Sequence, residues 1–403
     1  MKCRSCSSQT VPFLSLGNVP LVNSFLTKKQ IPQERRYDLT ICFCKICYLV
    51  QLSITVDPKT LFSNYLYYSS TSTTFLDHCK LISIEFKRRF RLGRQSLVME
   101  IASNDGALLH YFQELNIPVI GVDPAKNIAR EANKKGIPTI PKFFNHRFAL
   151  NYVRAGGKKP GLVFGANVLA HVPEINDFLL GVREVLDDSG TAVFEFPYIK
   201  GLFEGKFDTI YHEHVFYYSL IALTNLFDRA GLQIYDVEQT SVQGGSLRIF
   251  ASHAGRYSKT RRLKKLYQDE LLAGYDELMS YKTIGVKVGA LKKHILAFLK
   301  KAKRDNKTVV AYSAPAKGNV LLNYFKIDSS LVKFIVDKAP EKQGLYTPGT
   351  HLIVYPPSKV LSEQPDYLLI LCWNIADEIM KQESVYRARG GKFVIPIPNL
   401  KVI

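Results

Sequence analysis

From Ser96 onward, short apolar runs alternate with longer stretches in which apolar and polar residues are mixed. The run SLVMEIA is followed by the turn SNDG and then by a stretch that predicts a helix from about Ala107. The runs PVIGVDP, GLVFGANVLAHVP and GTAVFEFPY continue the alternation. Strand, turn and helix in this order are typical of a parallel sheet with crossover helices. The pattern therefore predicts an α/β fold with a Rossmann-like core.

The same patterning divides the chain into four parts. The stretch GLQIYDVEQTSVQGGSLRIFASH predicts an antiparallel hairpin that closes the first sheet, and a helical pattern follows from about Lys259 to Arg304. The remaining residues return to alternating strands and helices, which predicts a second, smaller Rossmann-like α/β domain. We expect a small N-terminal domain at 1–75, the core domain at 76–256, a helical connection at 257–304 and the C-terminal domain at 305–403.

The turn after the first core strand, with an acid at the end of the second strand, indicates a nucleoside site. Small residues in the turn allow a ligand to approach the backbone, and Asp123 can accept hydrogen bonds from ribose hydroxyls. Glu100 precedes the turn, and the turn lacks the G-x-G-x-x-G that a pyrophosphate requires. These features favour S-adenosylmethionine over a dinucleotide. The residues expected to bind this cofactor are Glu100, Ala102, Asn104, Asp105, Gly106, Asp123 and Asn167.

The segment FDTIYHEHVFYYS carries the densest group of side chains suited to proton transfer. Tyr211, His212, Glu213 and His214 occupy four consecutive positions. Imidazole titrates near neutrality, and a neighbouring carboxylate can hold its tautomer and raise its basicity. The segment therefore predicts a site of general acid–base catalysis. Two other interpretations stay open, because H-x-H is also a metal-binding pattern and because polar residues among aromatic ones can be purely structural.

Two C-x-x-C pairs in the N-terminal region predict a metal site. Cys3 and Cys6 form one pair, and Cys44 and Cys47 form the other. A gap of two residues lets both thiolates of a pair face one ion, and four such ligands complete the tetrahedral coordination of Zn²⁺. Because four protein ligands leave no position for water, we expect the zinc to be structural. Cys42 is an additional thiol that either replaces one of the four or packs in the core.

The composition supports packed globular domains and adds one question about partners. The 403 residues are 46% hydrophobic, and 54 basic against 35 acidic residues give a net charge of +19. Such a charge attracts polyanions. We do not expect a nucleic-acid partner, because the sequence has no interleaving of aromatic and basic residues of the RNA-binding kind. With no long uncharged apolar stretch, a cytoplasmic enzyme without a membrane partner is expected, as a monomer or a weak homo-oligomer.

The first turn of the C-terminal domain, AYSAPAKGN, offers a second candidate site. Lys317 and Gly318 stand where a helix begins, so a phosphate there would meet backbone amides and a cation. A purely structural turn explains the same residues equally well.

Taken together, the motifs resemble those of the sugar C-methyltransferases, which methylate carbon 3 of nucleotide-linked 4-keto-deoxysugars. The resemblance covers essentially the whole chain, and its pieces stand in family order. They are the first C-x-x-C pair, CKICYLVQL, YLYYSSTS, MEIASNDG, ANVLAHVP, FDTIYHEHVFYYS, QGGSLR, AYSAPAKGN, DKAPEKQG and LCWN. The resemblance implies a zinc-binding N-terminal lobe, an S-adenosylmethionine-dependent core and a Rossmann-like C-terminal domain.

The resemblance also implies roles for individual residues. His214 would be the general base that removes the carbon 3 proton, and Glu213 would orient it. Tyr211, His171 and a tyrosine of the YLYYS segment, Tyr65 or Tyr67, would lie near the sugar.

The chain departs from the family at two turns. The family commonly has glycine at the place of Ala102 and a glycine-rich turn where Ala311 and Ser313 stand, so crowding of the cofactor is a possible consequence at Ala102. Asn104 occupies another place where methyltransferases usually have glycine.

Two alternative functions stay open at this point. One is a methyltransferase of the same architecture that acts on another small-molecule carbon or on oxygen, since a fold does not fix a substrate. The other is a basic, zinc-containing nucleic-acid-binding protein with a degenerate methyltransferase fold.

Overall fold

Within residues 1–62, 68–71, 73–240 and 245–403, which the computed structural model describes, the strands form three sheets. Besides α-helices and strands, short 3-10 helices occur at Ile31–Gln33, Ser69–Thr71, Leu169–His171, Phe207–Thr209, Pro340–Lys342 and Trp373–Ile375.

The N-terminal lobe is built on an antiparallel sheet. Its elements are β1 (Thr10–Val19), β2 (Tyr37–Cys44), β3 (Val50–Leu52) and α1 (Pro58–Phe62). β2 pairs with β1 on one side and with β3 on the other. The turn between β2 and β3 carries the second C-x-x-C pair, while the buried side chains of Leu39, Ile41 and Phe43 supply the core of the lobe.

The second sheet forms the methyltransferase-like core. The elements of this region are α2 (Thr73–Arg89), β4 (Val98–Ile101), α3 (Ala107–Glu114), β5 (Val119–Val122), α4 (Lys126–Lys134), β6 (Thr139–Ile140), α5 (His146–Arg154), β7 (Leu162–Ala166), α6 (Ile175–Val185), β8 (Thr191–Pro197), α7 (Lys200–Phe203), β9 (Phe216–Tyr217), α8 (Leu220–Arg229), β10 (Leu232–Thr240) and β11 (Ser246–His253). The strand order is β10-β11-β8-β7-β4-β5-β6, with β10 and β11 antiparallel to their neighbours. The predicted closing hairpin is confirmed.

The position of β4 explains where the site forms. Val98, Met99 and Ile101 are almost fully buried, as expected for a parallel strand covered by helices on both faces. β5 and β7 flank β4, and the chain runs outward from it in both directions. Ligands of open α/β sheets bind at this switch point, beyond the carboxyl ends of the strands.

Two helices lead to the third sheet. They are α9 (Arg261–Leu272) and α10 (Leu278–Arg304), and they are followed by β12 (Val309–Tyr312), α11 (Ala316–Phe325), β13 (Ile335–Val336), β14 (Val354–Tyr355), α12 (Lys359–Glu363), β15 (Tyr367–Ile370), α13 (Ala376–Gln382), α14 (Ser384–Ala388), β16 (Lys392–Ile395) and β17 (Lys401–Val402). The strand order is β14-β13-β12-β15-β16-β17, parallel except for β17. The predicted second α/β domain is confirmed.

Glu270 of α9 fastens this connection to the core. Its carboxylate accepts hydrogen bonds from the Tyr198 hydroxyl at 2.6 Å and from the backbone amides of Leu220 and Ile221 at 2.7 and 2.9 Å. Only 1% of Glu270 is exposed. An acid at this place satisfies amides at the start of α8, which have no partner within their own helix.

The small strand β9 joins the core to the N-terminal lobe. Val50 and Gln51 of β3 pair with Tyr217 and Phe216, so β9 is the fourth strand of the first sheet. The residues of β9 lie inside the range 76–256 that was predicted for the core domain, although the strand pairs with the sheet of the N-terminal lobe. The domain boundaries given above stay a prediction. In the described part of the chain, no helix is both long enough and apolar enough to span a membrane.

Candidate active site

The turn after β4 has the backbone shape of a nucleoside-binding turn without most of the glycines. Ala102, Asn104 and Gly106 adopt left-handed conformations with φ of 58°, 50° and 82°. Asparagine tolerates this region, whereas alanine is disfavoured there by about 1–2 kcal/mol. A Cβ at Gly106 would lie 2.5 Å from the Cδ1 of Ile137, so only glycine fits. Ala102 therefore adopts the backbone conformation usual for glycine at that cost, and crowding of a cofactor by its methyl group stays a prediction.

Asp123 connects this turn to the second core strand. Its two carboxylate oxygens accept hydrogen bonds from the backbone amides of Asn104 and Ala125, each at 2.9 Å. Burial raises the pKa of Asp123, and the two amides oppose that rise. The predicted acid thus stands beside the predicted turn.

Glu100 adds a buried acceptor to the same place. Its Oε2 has no hydrogen-bond partner among the residues that the structure describes, and 5% of the residue is exposed. Burial raises the pKa of Glu100 well above its usual value, and the nearby carboxylates of Asp123 and Asp105 raise it further. A cationic ligand with hydroxyl or amine donors suits this arrangement of acids. S-adenosylmethionine has both properties.

The 3-10 helix Ser69–Thr71 lies against the turn. The amide of Ser69 donates to the Oδ1 of Asn104 at 2.9 Å, and the amide of Ser70 lies 3.3 Å from the Oδ1 of Asp105. Lys135 contacts the other oxygen of Asp105 at 2.8 Å. The predicted cofactor turn therefore contacts both this 3-10 helix and Lys135.

Tyr65 and Tyr67, which were expected near the sugar, lie outside the described residues. Their role stays a prediction.

The candidate base is held by a backbone carbonyl. The Nδ1 of His214 lies 2.9 Å from the carbonyl oxygen of Thr209, and its Nε2 lies 2.8 Å from the hydroxyl of Tyr211. Because a carbonyl only accepts, Nδ1 carries the proton, and the Nε2 lone pair accepts from Tyr211. Burial lowers the pKa of His214 well below 6.5, and the His171 ring and the Lys317 ammonium lower it further. The imidazole is therefore neutral at physiological pH and has the proton-accepting nitrogen directed at Tyr211.

His171 and Asn167 follow β7 and belong to the same edge of the sheet. The rings of His171 and His214 pack edge to face with centroids 4.9 Å apart. Burial lowers the pKa of His171 to about 4, and its ring hydrogen bonds with the Glu213 carbonyl. The backbone amide of Asn167, at a φ of 55°, donates to the carbonyl of Glu195 at 2.6 Å.

Glu213 does not orient His214, which corrects the expectation drawn from the family resemblance. Its Oε1 accepts a hydrogen bond from the Nδ2 of Asn23 at 2.6 Å. The contacts that orient the imidazole come instead from Thr209 and Tyr211. Consecutive residues of this turn point in different directions, so adjacency in sequence did not place the carboxylate beside the ring. Burial raises the pKa of Glu213, and the Asn23 amide opposes that rise.

The C-terminal domain brings Trp373 and Lys317 close to Asp208, which lies in the segment that also carries His214 (207–219, the base-bearing segment). Asp208 is fully buried, and one of its oxygens accepts from the indole nitrogen of Trp373 at 2.6 Å. The ammonium of Lys317 lies 5.4 Å from the centroid of the Trp373 ring. Burial lowers the pKa of Lys317, and the negative charge of Asp208 opposes that effect. Lys317 is thus a partly buried cation whose charge acts on the candidate base His214.

Gly318 has a packing role. A Cβ at this position would lie 2.7 Å from the Cβ of Leu371, so the glycine allows α11 to pack closely on the sheet.

Sequence reasoning did not single out Thr209, Asp208, Trp373 or Asn23. Asp208 and Thr209 stand in the FDTIYHEH motif, and Trp373 stands in LCWN as the single tryptophan of the chain. A signal for three of them was therefore present. For Asn23 the sequence offered none.

The four predicted cysteine ligands come together. The sulfur atoms of Cys3, Cys6, Cys44 and Cys47 all lie within 4.8 Å of one another. Cys3 to Cys47 measures 3.5 Å and Cys6 to Cys44 measures 3.4 Å. The edge of a zinc–thiolate tetrahedron is about 3.8 Å, given bonds of about 2.3 Å, so the donor set fits Zn²⁺. Cys42 is buried outside this group and hydrogen bonds with Thr10.

Three family models match consecutive parts of the chain. A zinc binding domain matches residues 3–62, a methyltransferase domain matches residues 79–237, and a C-methyltransferase C-terminal domain matches residues 241–398. The C-methyltransferase NovU of Streptomyces niveus is 32% identical over 406 residues, which span 100% of this chain and 96% of NovU.

Solved structures share parts of the fold. Magnesium protoporphyrin IX methyltransferase (ChlM) from Synechocystis PCC 6803 is 15% identical and covers 45% of this chain and 79% of its own, with a TM-score of 0.34. The CcbJ methyltransferase from Streptomyces caelestis is 13% identical and covers 44% of this chain and 90% of its own, with a TM-score of 0.35. Scores this low contribute nothing to a functional assignment.

Proposed function

The chain belongs to the C-methyltransferase family and is an S-adenosylmethionine-dependent C-methyltransferase, and we propose that its acceptor is carbon 3 of a nucleotide-linked 4-keto-deoxysugar. One observation carries the proposal. A buried, neutral imidazole has its proton-accepting nitrogen on the hydroxyl of Tyr211, at the edge of the sheet where the cofactor turn also lies. Methylation of carbon requires removal of a carbon-bound proton, and such a pair is suited to that step.

His214 is the proposed base, and Tyr211 carries the proton to it. A carbonyl at carbon 4 makes the carbon 3 proton acidic, because the charge left behind spreads to oxygen as an enolate. The Tyr211 oxygen takes the carbon 3 proton while its own proton passes to Nε2 of His214, 2.8 Å away. The products of this step are an enolate, an intact tyrosine and an imidazolium whose Nδ1 proton stays on Thr209.

The cofactor, when bound, supplies an electrophilic methyl group for the carbanion. Glu100 and Asp123 would accept hydrogen bonds from its polar groups at the turn of Ala102 to Gly106. The partly buried charge of Lys317 would attract an anionic part of the substrate, either the enolate or the diphosphate.

The four-cysteine group would hold a structural Zn²⁺ in the N-terminal lobe. Its ligands come from both ends of the lobe, so one ion ties the chain start to the turn between β2 and β3. With all four positions taken by thiolates, the ion has no place for a substrate.

The test is transfer of a labelled methyl group to a panel of nucleotide-linked 4-keto sugars, with the labelled atom located by NMR. We expect label on carbon 3 of at least one sugar. Label on oxygen would favour a methyltransferase of the same architecture with another acceptor atom, and label on no sugar of the panel would contradict the proposal. A matched panel of 4-hydroxy sugars is the control, because these lack the carbonyl that acidifies carbon 3.

A further inference from the structure

The N-terminal lobe reaches into the proposed active site through one side chain. Asn23 lies in the segment after β1, and its Nδ2 donates to the Oε1 of Glu213 at 2.6 Å. Asn23 is itself exposed, whereas only 8% of Glu213 is exposed. The amide therefore covers a carboxylate that the base-bearing segment has buried.

The segment that carries Asn23 is anchored on both sides of this contact. The carbonyl of Val22, the preceding residue, accepts from the Nδ2 of Asn319 in the C-terminal domain at 2.8 Å. Leu26 exchanges two backbone hydrogen bonds with Tyr346, at 2.8 and 3.0 Å. Asn23 is thus fixed between the C-terminal domain and Glu213.

The lobe also holds the base-bearing segment itself. The amide of Leu52 donates to the carbonyl of Val215, one residue beyond His214, and β9 then pairs with β3. On the other side of Glu213, the ring of His212 lies 3.2 Å from the carbonyl of Asp38. The lobe therefore contacts each residue that flanks the Glu213–His214 pair.

The carboxylate of Glu213 is influenced by its burial and by the Asn23 amide, which opposes the effect of burial. The ring of His171 contacts the Glu213 carbonyl, and His212 and His214 are its neighbours in the chain. Burial lowers the pKa of all three histidines, so none of them offers a positive charge at neutral pH. A buried carboxylate stays ionised only where a donor favours the charged form.

We propose that Asn23 is a positioning residue that keeps Glu213 ionised and fixes the direction of its carboxylate, which makes the N-terminal lobe a working part of the active site. This inference rests on the proposed function in one respect, because it assumes that the acceptor binds beside the segment that carries Glu213 and His214. The Asn23 contact with Glu213 does not depend on what the acceptor is.

The first test is Asn23→Asp, with turnover compared with wild type at each pH. The new carboxyl shares one proton with Glu213 at low pH and, as an acid, can donate in place of the amide. Once both carboxyls ionise, they repel each other and the contact is lost. We expect turnover relative to wild type to fall by roughly tenfold or more between about pH 6 and pH 9. Asn151→Asp, at an exposed asparagine of α5, is the matched control and should give a flat ratio.

The second test needs no substrate. The infrared carboxyl band of Glu213 is isolated by subtracting the spectrum of Glu213→Gln, and its titration midpoint is compared in wild type and Asn23→Leu. Loss of a hydrogen bond to a charged acceptor should raise the midpoint by about 1–2 pH units. Asn151→Leu should leave the midpoint unchanged. Thermal unfolding of every variant at each pH shows whether a change in turnover follows from unfolding instead.

An unmoved midpoint in Asn23→Leu would overturn the inference, and so would a flat activity ratio in Asn23→Asp. If wild type methylates no sugar of the panel, the proposed acceptor fails, but the infrared midpoint still decides the role of Asn23. A moved midpoint together with unchanged turnover would remove Glu213 from the active machinery and would also overturn the inference.

Discussion

Tyr211→Phe is the most informative single change at the proposed proton path. It removes only the hydroxyl that donates to Nε2 of His214 at 2.8 Å. The ring remains, so the packing of Tyr211 against His214, with centroids 4.0 Å apart, is kept. The variant therefore separates the proton-carrying hydroxyl from the shape of the site.

Two effects follow, and their size can be worked out from the contact. A hydrogen bond between neutral groups contributes about 0.5–1.5 kcal/mol, and this one stabilises the neutral imidazole. At 1.36 kcal/mol per pH unit, its loss raises the pKa of His214 by about 0.4–1 unit, which moves the acid limb of the kcat/KM profile to higher pH. Because phenylalanine cannot pass a proton, turnover should also fall by about 10²–10⁴-fold.

The assay is the pH profile of methyl transfer, run beside binding of S-adenosylhomocysteine to show that the cofactor site is intact. Tyr235→Phe is the control, because it removes a buried hydroxyl that contacts Thr191 away from the base. If Tyr211→Phe turned over as fast as wild type and the acid limb of its kcat/KM profile lay at the same pH, the proposed proton path would be refuted.

Two further predictions concern the scaffold. Cys44→Ser should lose bound zinc and unfold at a lower temperature, since structural zinc contributes directly to folding. Cys42→Ser is the control and should keep its full metal content. Metal analysis and thermal unfolding of both variants measure these effects. Burial raises the pKa of Glu270 from an ordinary 4.5 to about 7, so the folded state binds this proton more tightly than the unfolded state does. The proton therefore contributes to the free energy of unfolding below about pH 4.5, and that contribution is lost as the pH rises through about 7. Glu270→Gln should therefore shrink the difference in unfolding free energy between about pH 5 and pH 8, by up to about 3 kcal/mol in urea titrations, and an unchanged difference would contradict this.

The parts of the fold that depend on local pattern could be predicted from sequence. Three features have a geometry that a few neighbouring residues determine. They are the cysteines paired within C-x-x-C, the apolar strands followed by turns of small residues, and the acid at the end of the second strand. The four sulfurs accordingly lie together, and Asp123 contacts the turn after β4. Binding of the cofactor at this turn stays a prediction.

Contacts between distant segments could not be predicted in the same way. β9 has two residues, too few for a periodic signal, and nothing in its apolar side chains specifies β3 as its partner. The contact of Trp373 with Asp208 joins two domains, and a single tryptophan does not name its acceptor. Tertiary packing, not local preference, fixes such pairs.

The orientation of side chains within one motif was the hardest feature to predict. Glu213 and His214 are adjacent in sequence, yet Glu213 turns to Asn23 while His214 turns to Thr209. Likewise, the left-handed backbone at Ala102 keeps the shape of a glycine turn without glycine. Backbone angles of individual residues decide both cases, and residue type alone does not give those angles.

Hydrogen exchange at carbon 3 of the keto sugar tests the central claim most directly. With S-adenosylhomocysteine in place of the methyl donor, the enzyme should replace the carbon 3 proton by deuterium from heavy water, as seen by NMR. The same exchange should vanish in His214→Asn while S-adenosylhomocysteine still binds. Exchange at an undiminished rate in that variant would contradict His214 as the base. So would the absence of exchange in a wild-type enzyme that does methylate carbon 3 once S-adenosylmethionine is supplied.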